Sequence, residues 1–458
     1  MTTTTATSHD FVVVYYIGNR KTGTLHIITR KNGITTLEHF PAAPDTGLEK
    51  MRKPILVGMT AERNVVLLNP VTRETHIETA FPLDGFPAHL YADPYSNRDW
   101  FMNDGDKDTG NDTLNCGNKG SSVTVIANTT SRLNVQHLNT LCVGRGHHQT
   151  AFTAPSPAAP DMPRRAYISN LNDGTISVIG NDEKEADTDL KLLATINLCE
   201  PEREDGAADK IPTARDGGRF QHPASGDTRT SMHSGSAENA GATFQPNSAF
   251  PHGLAYSSVT GELYNLNSGY GTLAIINPLT HAIEARMPLK GYSNLFSVPG
   301  QQSGRYLIAR GADRKTDANH VIAKIAVLDT TTKSVVDHLD LPDIYFGKYY
   351  FNAEATKLYM TTGSSGSPEQ QANIKADVLL AFDLTALPTL RLIQEIKTGP
   401  AGSVAFLEKN GVTERVFSSN AEAGSLVVID GKSDAILETI AVTEGASHAR
   451  VWMLGGRA

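Results

Sequence analysis

The strongest constraint on the fold is an internal repeat that runs through nearly the whole chain. Each copy has a short β-rich run, a turn with Asn or Gly, a second apolar run and a further alternating segment. Four short strands that recur every ~40–50 residues predict the blades of a β-propeller. The clearest copies are RAYISNLNDGTISVIGN (Arg165–Asn181), ELYNLNSGYGTLAIINP (Glu262–Pro278) and RVFSSNAEAGSLVVIDG (Arg415–Gly431), and weaker ones lie at Phe11–Arg30, Ile55–Pro70, Trp100–Asn128, Arg305–Thr330 and Lys357–Leu384.

The second apolar runs give the number of units. There are eight of them: LHIIT, VVLLN, VTVIA, ISVIG, LAIIN, IAVLD, LLAFD and LVVID. We therefore predict an all-β chain, a single β-propeller domain over residues 1–458 with eight four-stranded blades. Seven blades is the alternative, because the second unit has no obvious innermost strand.

The chain begins in the middle of a blade. Phe11–Ile17 has the character of a second strand, and HARVWML at His448–Leu454 supplies the matching first strand. Pairing of the C-terminal strand with the N-terminal blade closes the ring and leaves no free sheet edge at the junction.

The repeat resembles the bacterial YVTN-type β-propeller repeat, and the resemblance extends over nearly the whole chain. It implies the fold and leaves the reaction open, because such propellers serve as scaffolds, lactonases, lyases and oxidoreductases alike.

Charge and composition exclude several classes of partner. The formal net charge is −8 and no long Lys/Arg run occurs, which argues against nucleic acid and anionic membranes as partners. No apolar run approaches 18 residues, so no membrane span is predicted. Residues 1–10 carry no signal-peptide pattern, which predicts a cytoplasmic protein as numbered, or a periplasmic one if a signal was removed. Three widely spaced cysteines indicate neither a disulfide framework nor a zinc ribbon.

Four long insertions are predicted to lie on one face of the propeller. They either precede an innermost strand or join strands two and three, and both kinds of loop emerge on the same face. The longest, residues 199–249, is rich in Gly, Ser, Asp and Pro and reads as a cap over that face. The insertions are Asn103–Ser121, Cys199–Ala249, Gly311–His320 and Thr362–Ala376.

Five of the 15 histidines share one position in the repeat, the start of an innermost strand. Because innermost strands line the central channel, these side chains are predicted to meet at one mouth. The remaining three units offer Asn294, Lys348 and Gly402 at about the same place. The five are His89 (FPAHLYADP), His147 and His148 (GRGHHQTAF), His252 (FPHGLAYSS) and His448 (GASHARVWM).

These five histidines are our candidate metal ligands. A single His at a channel mouth usually ties down a loop, but several in register form a donor set suited to copper, iron or zinc. His39, His76, His137, His281 and His338 are assigned to outer strands and are expected to be solvated.

The doubled His of GRGHHQTAF, with single His from other blades, resembles the propeller copper sites of nitrous-oxide reductase and thiocyanate dehydrogenase. The resemblance implies copper held by His147 and His148 as a pair and by His89, His252 and His448 singly. Three units lack the His, so one to three metal ions are expected rather than a seven-His cluster. Iron is the second choice, since carotenoid-cleaving oxygenases hold one iron with four propeller histidines.

Lys348 and Asp104 are the candidate catalytic residues. Lys348 is placed to act as an acid, a base or an anion anchor, or to form a salt bridge. Asp104 opens a D-x-D-x-D run, residues 104–112, which indicates a solvated loop or a weak calcium site because the Gly and distal Glu of an EF-hand are missing. Asp93 either orients an imidazole or caps the turn at Pro94.

These features lead to three functional hypotheses. The first is a metal-dependent oxidoreductase that acts on a small molecule at a copper or iron site in the channel. The second is a metal-assisted lyase or lactonase with a His general base. The third is a binding propeller without catalysis. The substrate, the redox partner and the oligomeric state are not specified by the sequence.

Overall fold

The computed structural model describes residues 11–17, 24–41, 47–50, 56–59, 65–68, 75–78, 86–104, 121–127, 136–204, 229–230, 243–244, 247–300, 303–420, 422–442 and 446–453. Almost all of the regular structure is β. The strands are β1 (Phe11–Ile17), β2 (Thr24–Lys31), β3 (Ile34–Pro41), β4 (Gly47–Lys50), β5 (Leu56–Met59), β6 (Val65–Leu68), β7 (Thr75–Glu78), β8 (Phe86–Ala92), β9 (Arg98–Asp104), β10 (Ser121–Ala127), β11 (Gln136–Val143), β12 (His147–Thr153), β13 (Arg165–Asn170), β14 (Thr175–Gly180), β15 (Leu192–Asn197), β16 (Arg229–Thr230), β17 (Thr243–Phe244), β18 (Pro251–Ser257), β19 (Glu262–Asn267), β20 (Thr272–Ile276), β21 (Ile283–Pro288), β22 (Tyr292–Ser297), β23 (Tyr306–Asp313), β24 (Ile322–Asp329), β25 (Ser334–Pro342), β26 (Phe346–Phe351), β27 (Lys357–Thr362), β28 (Val378–Asp383), β29 (Arg391–Lys397), β30 (Ala401–Lys409), β31 (Val412–Asn420), β32 (Ser425–Asp430), β33 (Ile436–Ala441) and β34 (Ala446–Met453). A 3₁₀ turn at Pro201–Arg203 and a short helix, α1 (Pro368–Gln371), complete the described elements.

Within the described residues the strands form eight four-stranded antiparallel sheets and one two-stranded pair, β16–β17. We number the sheets in chain order. They are sheet 1 (β34-β1-β2-β3), sheet 2 (β4-β5-β6-β7), sheet 3 (β8-β9-β10-β11), sheet 4 (β12-β13-β14-β15), sheet 5 (β18-β19-β20-β21), sheet 6 (β22-β23-β24-β25), sheet 7 (β26-β27-β28-β29) and sheet 8 (β30-β31-β32-β33).

The burial of each strand follows its place in the sheet. The two middle strands are buried on both faces, as in β13 and β14, because a neighbouring sheet covers each side. The fourth strand lies at the rim, and in β25 partly buried and exposed residues interchange along its length. Hence the repeat shows continuous apolar runs in its middle strands and alternation in its last strand.

Consecutive sheets pack face to face. From sheet 3 to sheet 8, and on to sheet 1, each adjacent pair shares a cluster of buried apolar side chains. Between sheets 3 and 4, for example, the Trp100 ring meets Phe152 edge-on at 5.7 Å. Strand β34 of sheet 1 contacts β4 of sheet 2. The sheets therefore follow one another in space in the order of the chain, as propeller blades do.

The predicted pairing of the two chain ends is confirmed. β34 runs antiparallel to β1, with Phe11 opposite Met453 and Tyr16 opposite His448. Sheet 1 is thus built from both ends of the chain. The second unit, in which the sequence shows no obvious innermost strand, also has one, since β4 pairs with β5.

The cysteine prediction is wrong for one residue. Cys142, on β11, is disulfide-bonded, whereas Cys199 carries a free thiol. The third cysteine of the chain, Cys116, lies outside the described residues. Sequence spacing failed here because the fold, not the sequence separation, decides which cysteines meet.

No helix in the described part of the chain combines the length and the apolar character needed to cross a membrane.

Candidate metal centre

A β-bulge interrupts seven of the eight innermost strands near their first residues. At each one the innermost strand carries one residue more than the second strand opposite it. In β12, for example, three steps from His147 to Thr150 face two steps from Asn170 to Ile168. Bulges re-aim side chains and occur beside functional sites. The bulged segments are Pro87–His89, His147–Thr150, Pro251–Leu254, Tyr292–Asn294, Phe346–Tyr349, Ala401–Val404 and Ala446–His448.

All five candidate histidines lie in these bulges, as do Asn294, Lys348 and Gly402. The backbone therefore places the predicted residues at one equivalent position in seven sheets. Their role as ligands stays a prediction, because the side chains of His147, His148 and His448 lie outside the described part of the structure.

His252 is the candidate ligand whose surroundings are described best. Its Nδ1 lies in a short hydrogen bond with the carbonyl oxygen of Ser293. Because a carbonyl can only accept, Nδ1 carries the proton, and the neutral ring has its lone pair on Nε2. The ring also stacks parallel to Phe250, with 6.2 Å between centroids. Metal-ligating histidines usually donate their second ring N–H to a carbonyl, a carboxylate or water, so this bond is compatible with a ligand role.

Asn294 completes the environment of this imidazole. Its side-chain nitrogen lies 3.4 Å from His252 Nδ1, and its Oδ1 is buried without a hydrogen-bond partner. A half-turn of the amide brings Oδ1 to the Nδ1 proton as a second acceptor. Gly253 sits so close to β22 that a Cβ there would collide with the backbone nitrogen of Leu295. The ring of His252 is therefore held by the Ser293 carbonyl, the Phe250 ring and the Asn294 amide.

His89, on β8, is half-buried and contacts the Tyr91 ring at 6.1 Å. Among the residues whose side chains are described, no group of three or more His, Cys, Asp or Glu is arranged to hold a metal ion. The structure thus gives the backbone positions and the orientation of His252, and the metal site itself remains a prediction.

The two candidate catalytic residues lie at the same end of their sheets as the bulges. Lys348 is exposed, and its backbone N–H donates to Thr361 Oγ1 at 2.8 Å. Asp104 ends β9 opposite Phe86. The side chain of Asp104 and the rest of the proposed calcium loop, residues 105–112, lie outside the described residues.

Asp93 has the turn-capping role, the second of the two interpretations. Its Oδ1 accepts a hydrogen bond from the backbone N–H of Tyr95 at 2.9 Å, and its Oδ2 accepts one from the hydroxyl of Ser96. Oδ2 also pairs with Arg164 Nη2 of sheet 4 at 3.1 Å. The carboxylate thus fixes a turn at the far end of β8 from the bulge.

Two of the predicted insertions are joined in the structure. Gln370, on α1 in the loop after β27, donates from Nε2 to the carbonyl oxygens of Asp317 at 2.8 Å and Arg314 at 3.1 Å. In the same region His320 Nδ1 lies 2.7 Å from Asp343 Oδ1, a contact that raises the pKa of His320. These bonds connect the two insertions over sheets 6 and 7, and we call the connected insertions the joined loops.

The base of the longest insertion is held by a carboxylate. Glu204 accepts the backbone N–H of Ser248 at 2.7 Å and the hydroxyl of Tyr270, so it joins both ends of the insertion to sheet 5. Burial, followed by this carboxylate, raises the pKa of the Cys199 thiol. The interior of the predicted cap, residues 205–228, 231–242 and 245–246, lies outside the described residues.

The prediction that His281 is merely solvated is wrong. Its Nε2 accepts a hydrogen bond from Arg165 Nη1 at 2.9 Å, and its ring lies edge-on to Tyr167. It therefore belongs to the seam between sheets 4 and 5. His338 is exposed on the rim strand β25, as predicted.

Sequence reasoning missed Arg310, which lies opposite Asn294 in sheet 6. Its Nη1 donates to the carbonyl oxygen of Phe346 at 3.2 Å, and its guanidinium lies 5.9 Å from the centre of the Tyr349 ring. The signal was present as a single Arg in the otherwise apolar run YLIARGA.

Comparison with known proteins supports the fold. No family model matches the chain, and no curated protein matches it in sequence. Among solved structures, dihydro-heme d1 dehydrogenase NirN in complex with DHE matches with a TM-score of 0.56 and 11% identity, over 96% of this chain and 74% of that one.

Two further structures match along almost their whole length. The periplasmic gluconolactonase PpgL of Pseudomonas aeruginosa has a TM-score of 0.51 and 11% identity, over 96% of this chain and 99% of that one. AztD of Citrobacter koseri has a TM-score of 0.51 and 12% identity, over 98% and 100%. At such identities the likeness shows the fold alone, and that fold is a bacterial β-propeller.

Proposed function

We propose that this chain is a metal-dependent oxidoreductase with a transition-metal site at one mouth of an eight-bladed propeller. The observation that carries the proposal is the row of bulges in seven sheets, four of which contain His89, His147, His148, His252 and His448. Neutral imidazoles with few carboxylates nearby suit copper or iron. NirN, a dehydrogenase of the same fold, supports redox chemistry as the class.

The proposed ring has eight blades. Seven seams are supported by contacts between neighbouring sheets, and the remaining one joins sheets 2 and 3. Closure there brings the bulged ends of the innermost strands around one channel mouth. Imidazoles from sheets 1, 3, 4 and 5 then face a common space, with Lys348 of sheet 7 across from them.

Copper is the first choice of metal and iron the second. The disulfide at Cys142 supports an oxidising compartment, because such bonds seldom persist in a reducing cytoplasm. We therefore propose the periplasm as the location, which the periplasmic relative PpgL also favours. A cytoplasmic location would favour iron, so a periplasmic location keeps copper as the first choice.

The protein's own contribution is orientation and charge. The carbonyl of Ser293 keeps the proton of His252 on Nδ1, so Nε2 would be the nitrogen that holds the metal. A bound copper or iron ion supplies electron transfer and Lewis acidity to a small substrate. Lys348 supplies a positive charge or a proton to that substrate. The joined loops over sheets 6 and 7 limit the access of water.

A metal-assisted lactonase or lyase is the second candidate. The observation in its favour is also His252, because a neutral imidazole with its lone pair on Nε2 can act as a general base. The gluconolactonase PpgL, which has the same fold, supports a lactonase as the class.

The test is metal analysis of untagged protein purified under metal-replete conditions, together with its visible and EPR spectra. We expect about one to three copper or iron ions per chain, and loss of most of the metal in the His147→Ala/His148→Ala variant without loss of the fold. His338→Ala, on the exposed rim, is the matched control and should keep the metal. Less than about one third of an ion per chain in the unaltered protein would overturn the proposal.

The spectra and activity assays separate the two enzyme classes. A redox-active copper or iron signal that changes on reduction supports the oxidoreductase. Full occupancy by zinc, with hydrolysis of a lactone that is lost in His252→Ala, would instead establish the second candidate.

A further inference from the structure

A hydroxyl group on the second strand closes the bulge of β12. Ser169, which is fully buried, accepts a hydrogen bond from the backbone N–H of Gln149 at 3.1 Å and donates to the carbonyl oxygen of the same residue at 3.3 Å. The backbone of Gln149, the residue directly after His148, is therefore fixed to β13. The same pair of bonds recurs in sheets 7 and 8, between Thr361 and Lys348 and between Ser419 and Ser403.

The residues just before His147 are fixed as well. Asp173 accepts hydrogen bonds from the backbone N–H of Arg145 at 2.8 Å and from its Nε at 2.7 Å. A Cβ at Gly146 would lie 2.6 Å from the side chain of Asn172, so this glycine lets the chain approach the neighbouring turn closely. The segment that carries His147 and His148 is thus held at both of its ends.

The side chain of Gln149 extends this fixed segment to the next sheet. Its Oε1 accepts a hydrogen bond from the backbone N–H of Leu254 at 3.1 Å. Leu254 ends the bulged segment of β18 that contains His252. Because an innermost strand is paired on one side only, part of its backbone N–H groups need partners outside the ladder, and Gln149 is such a partner.

Links of the same kind continue around the mouth. His252 Nδ1 donates to the carbonyl oxygen of Ser293 in sheet 6, and Arg310 Nη1 donates to that of Phe346 in sheet 7 at 3.2 Å. In each of three successive seams, therefore, a side chain of one sheet bonds to the backbone of the next sheet at its bulge. The spacing of these bulges depends on such bonds as well as on the apolar packing between the sheets.

We propose that Gln149 is a positioning residue, which sets the distance between the His147–His148 pair of sheet 4 and His252 of sheet 5. The two neighbouring strands then bind one ion together. Metal–ligand distances tolerate deviations of only about 0.2 Å, so a small shift of one strand lowers the affinity. The role of the ion rests on the proposed function, whereas the link between the strands does not.

The test compares two substitutions of Gln149. Gln149→Met keeps an unbranched side chain of similar length and removes the acceptor, whereas Gln149→Glu keeps an acceptor oxygen. Hydrogen exchange followed by mass spectrometry reports on the Leu254 amide in a peptide that covers residues 250–257. We expect exchange about fivefold faster in Gln149→Met and unchanged in Gln149→Glu, because one hydrogen bond is lost only in the former.

Copper affinity, measured by competition with a chelator, and the EPR spectrum of the bound copper are the second readout. We expect Gln149→Met to lower the affinity about tenfold and to change the spectrum. Gln394→Met is the matched control. Gln394 also bonds across a seam, from Nε2 to the carbonyl oxygen of Asp434 at 3.5 Å, but it lies on the exposed rim strand β29. Its replacement should change neither readout.

Gln149→Asn keeps the test decisive if Gln149→Met fails to fold, since it keeps the amide but is too short for the bond to Leu254. Unchanged exchange in a folded variant that lacks the acceptor overturns the inference. Faster exchange with unchanged copper affinity and EPR spectrum also overturns it. Faster exchange in a protein whose unaltered form binds no copper supports the link between the strands and contradicts the proposed function.

Discussion

At the scale of single residues, the site depends on orientation more than on composition. The sequence was sufficient to predict which residues stand at the start of the innermost strands, because the repeat fixes their register. It could not show that His252 is protonated on Nδ1, since that follows from the carbonyl of Ser293 on a neighbouring sheet. It also could not show that Arg310 donates to the Phe346 carbonyl, because only the packing of sheet 6 on sheet 7 brings the two together.

Asn294 tests this view of His252. Replacement by Leu keeps the number and branching of the side-chain heavy atoms and removes the amide next to Nδ1. We expect metal affinity to fall about 10- to 100-fold, as it does when the hydrogen-bond partners of ligating histidines are lost. Competition with a chelator measures it.

The matched control for this prediction is Asn97→Leu, in an exposed turn at the other end of sheet 3. A fully folded Asn294→Leu protein with unchanged metal affinity would show that Asn294 does not position His252.

At the scale of elements, the second strands of sheets 4, 5 and 7 each form a side-chain hydrogen bond to the next sheet. A Tyr recurs as their third residue, and its hydroxyl reaches the neighbouring sheet: Tyr167 to Pro278 O at 3.0 Å, Tyr264 to Thr330 O at 3.0 Å and Tyr359 to Asp434 Oδ1 at 2.6 Å. The repeat RAY, ELY and KLY is visible in the sequence. The role of the Tyr could not be predicted from the sequence, because the residues that its hydroxyl contacts lie roughly 65 to 110 positions away along the chain.

The seam between sheets 4 and 5 should weaken in acid. Burial, followed by the charge of Arg165, lowers the pKa of His281, so the fold favours the neutral ring that accepts the hydrogen bond of Arg165. This contribution is fully present above the ordinary His pKa of about 6.5 and is lost as the pH falls through the lowered value. Urea unfolding at several pH values between about 7.5 and 4.5 measures the loss.

The variant His281→Asn should lose this part of the pH dependence, and Asn tolerates the positive φ at this position. His338→Asn, which changes an exposed His, should keep it. Identical pH dependence in His281→Asn and the unaltered protein would contradict the role given to His281.

At the scale of the whole molecule, the repeat predicted the architecture and the pairing of the chain ends. The innermost strand of sheet 2 escaped prediction because GLEK is short and polar, with none of the β-branched residues that mark the other strands. The disulfide at Cys142 also escaped, for it depends on distances that only the fold creates.

Closure of sheet 1 should be essential to the entire fold. Removal of residues 446–458 takes away β34 and exposes the edge of β1, which is a template for association with other chains. We expect a large fall in the thermal midpoint and aggregation on size-exclusion chromatography.

Val451→Pro should have the same effect in weaker form, because Val451 pairs with Val13 inside this ladder and proline cannot donate a backbone hydrogen bond. A truncated chain that stays monomeric with an unchanged thermal midpoint would contradict the closed ring.

The central claim is that the bulged ends of the innermost strands hold a transition metal. Crystals of protein grown from metal-replete preparations, with anomalous diffraction measured on both sides of the copper and iron edges, locate such an ion and identify it. The account predicts a peak about 2.0–2.1 Å from Nε2 of His252, with further imidazoles from sheets 1, 3 or 4 around it. A channel mouth without an anomalous peak, in protein whose ordered metal lies elsewhere, would contradict the account.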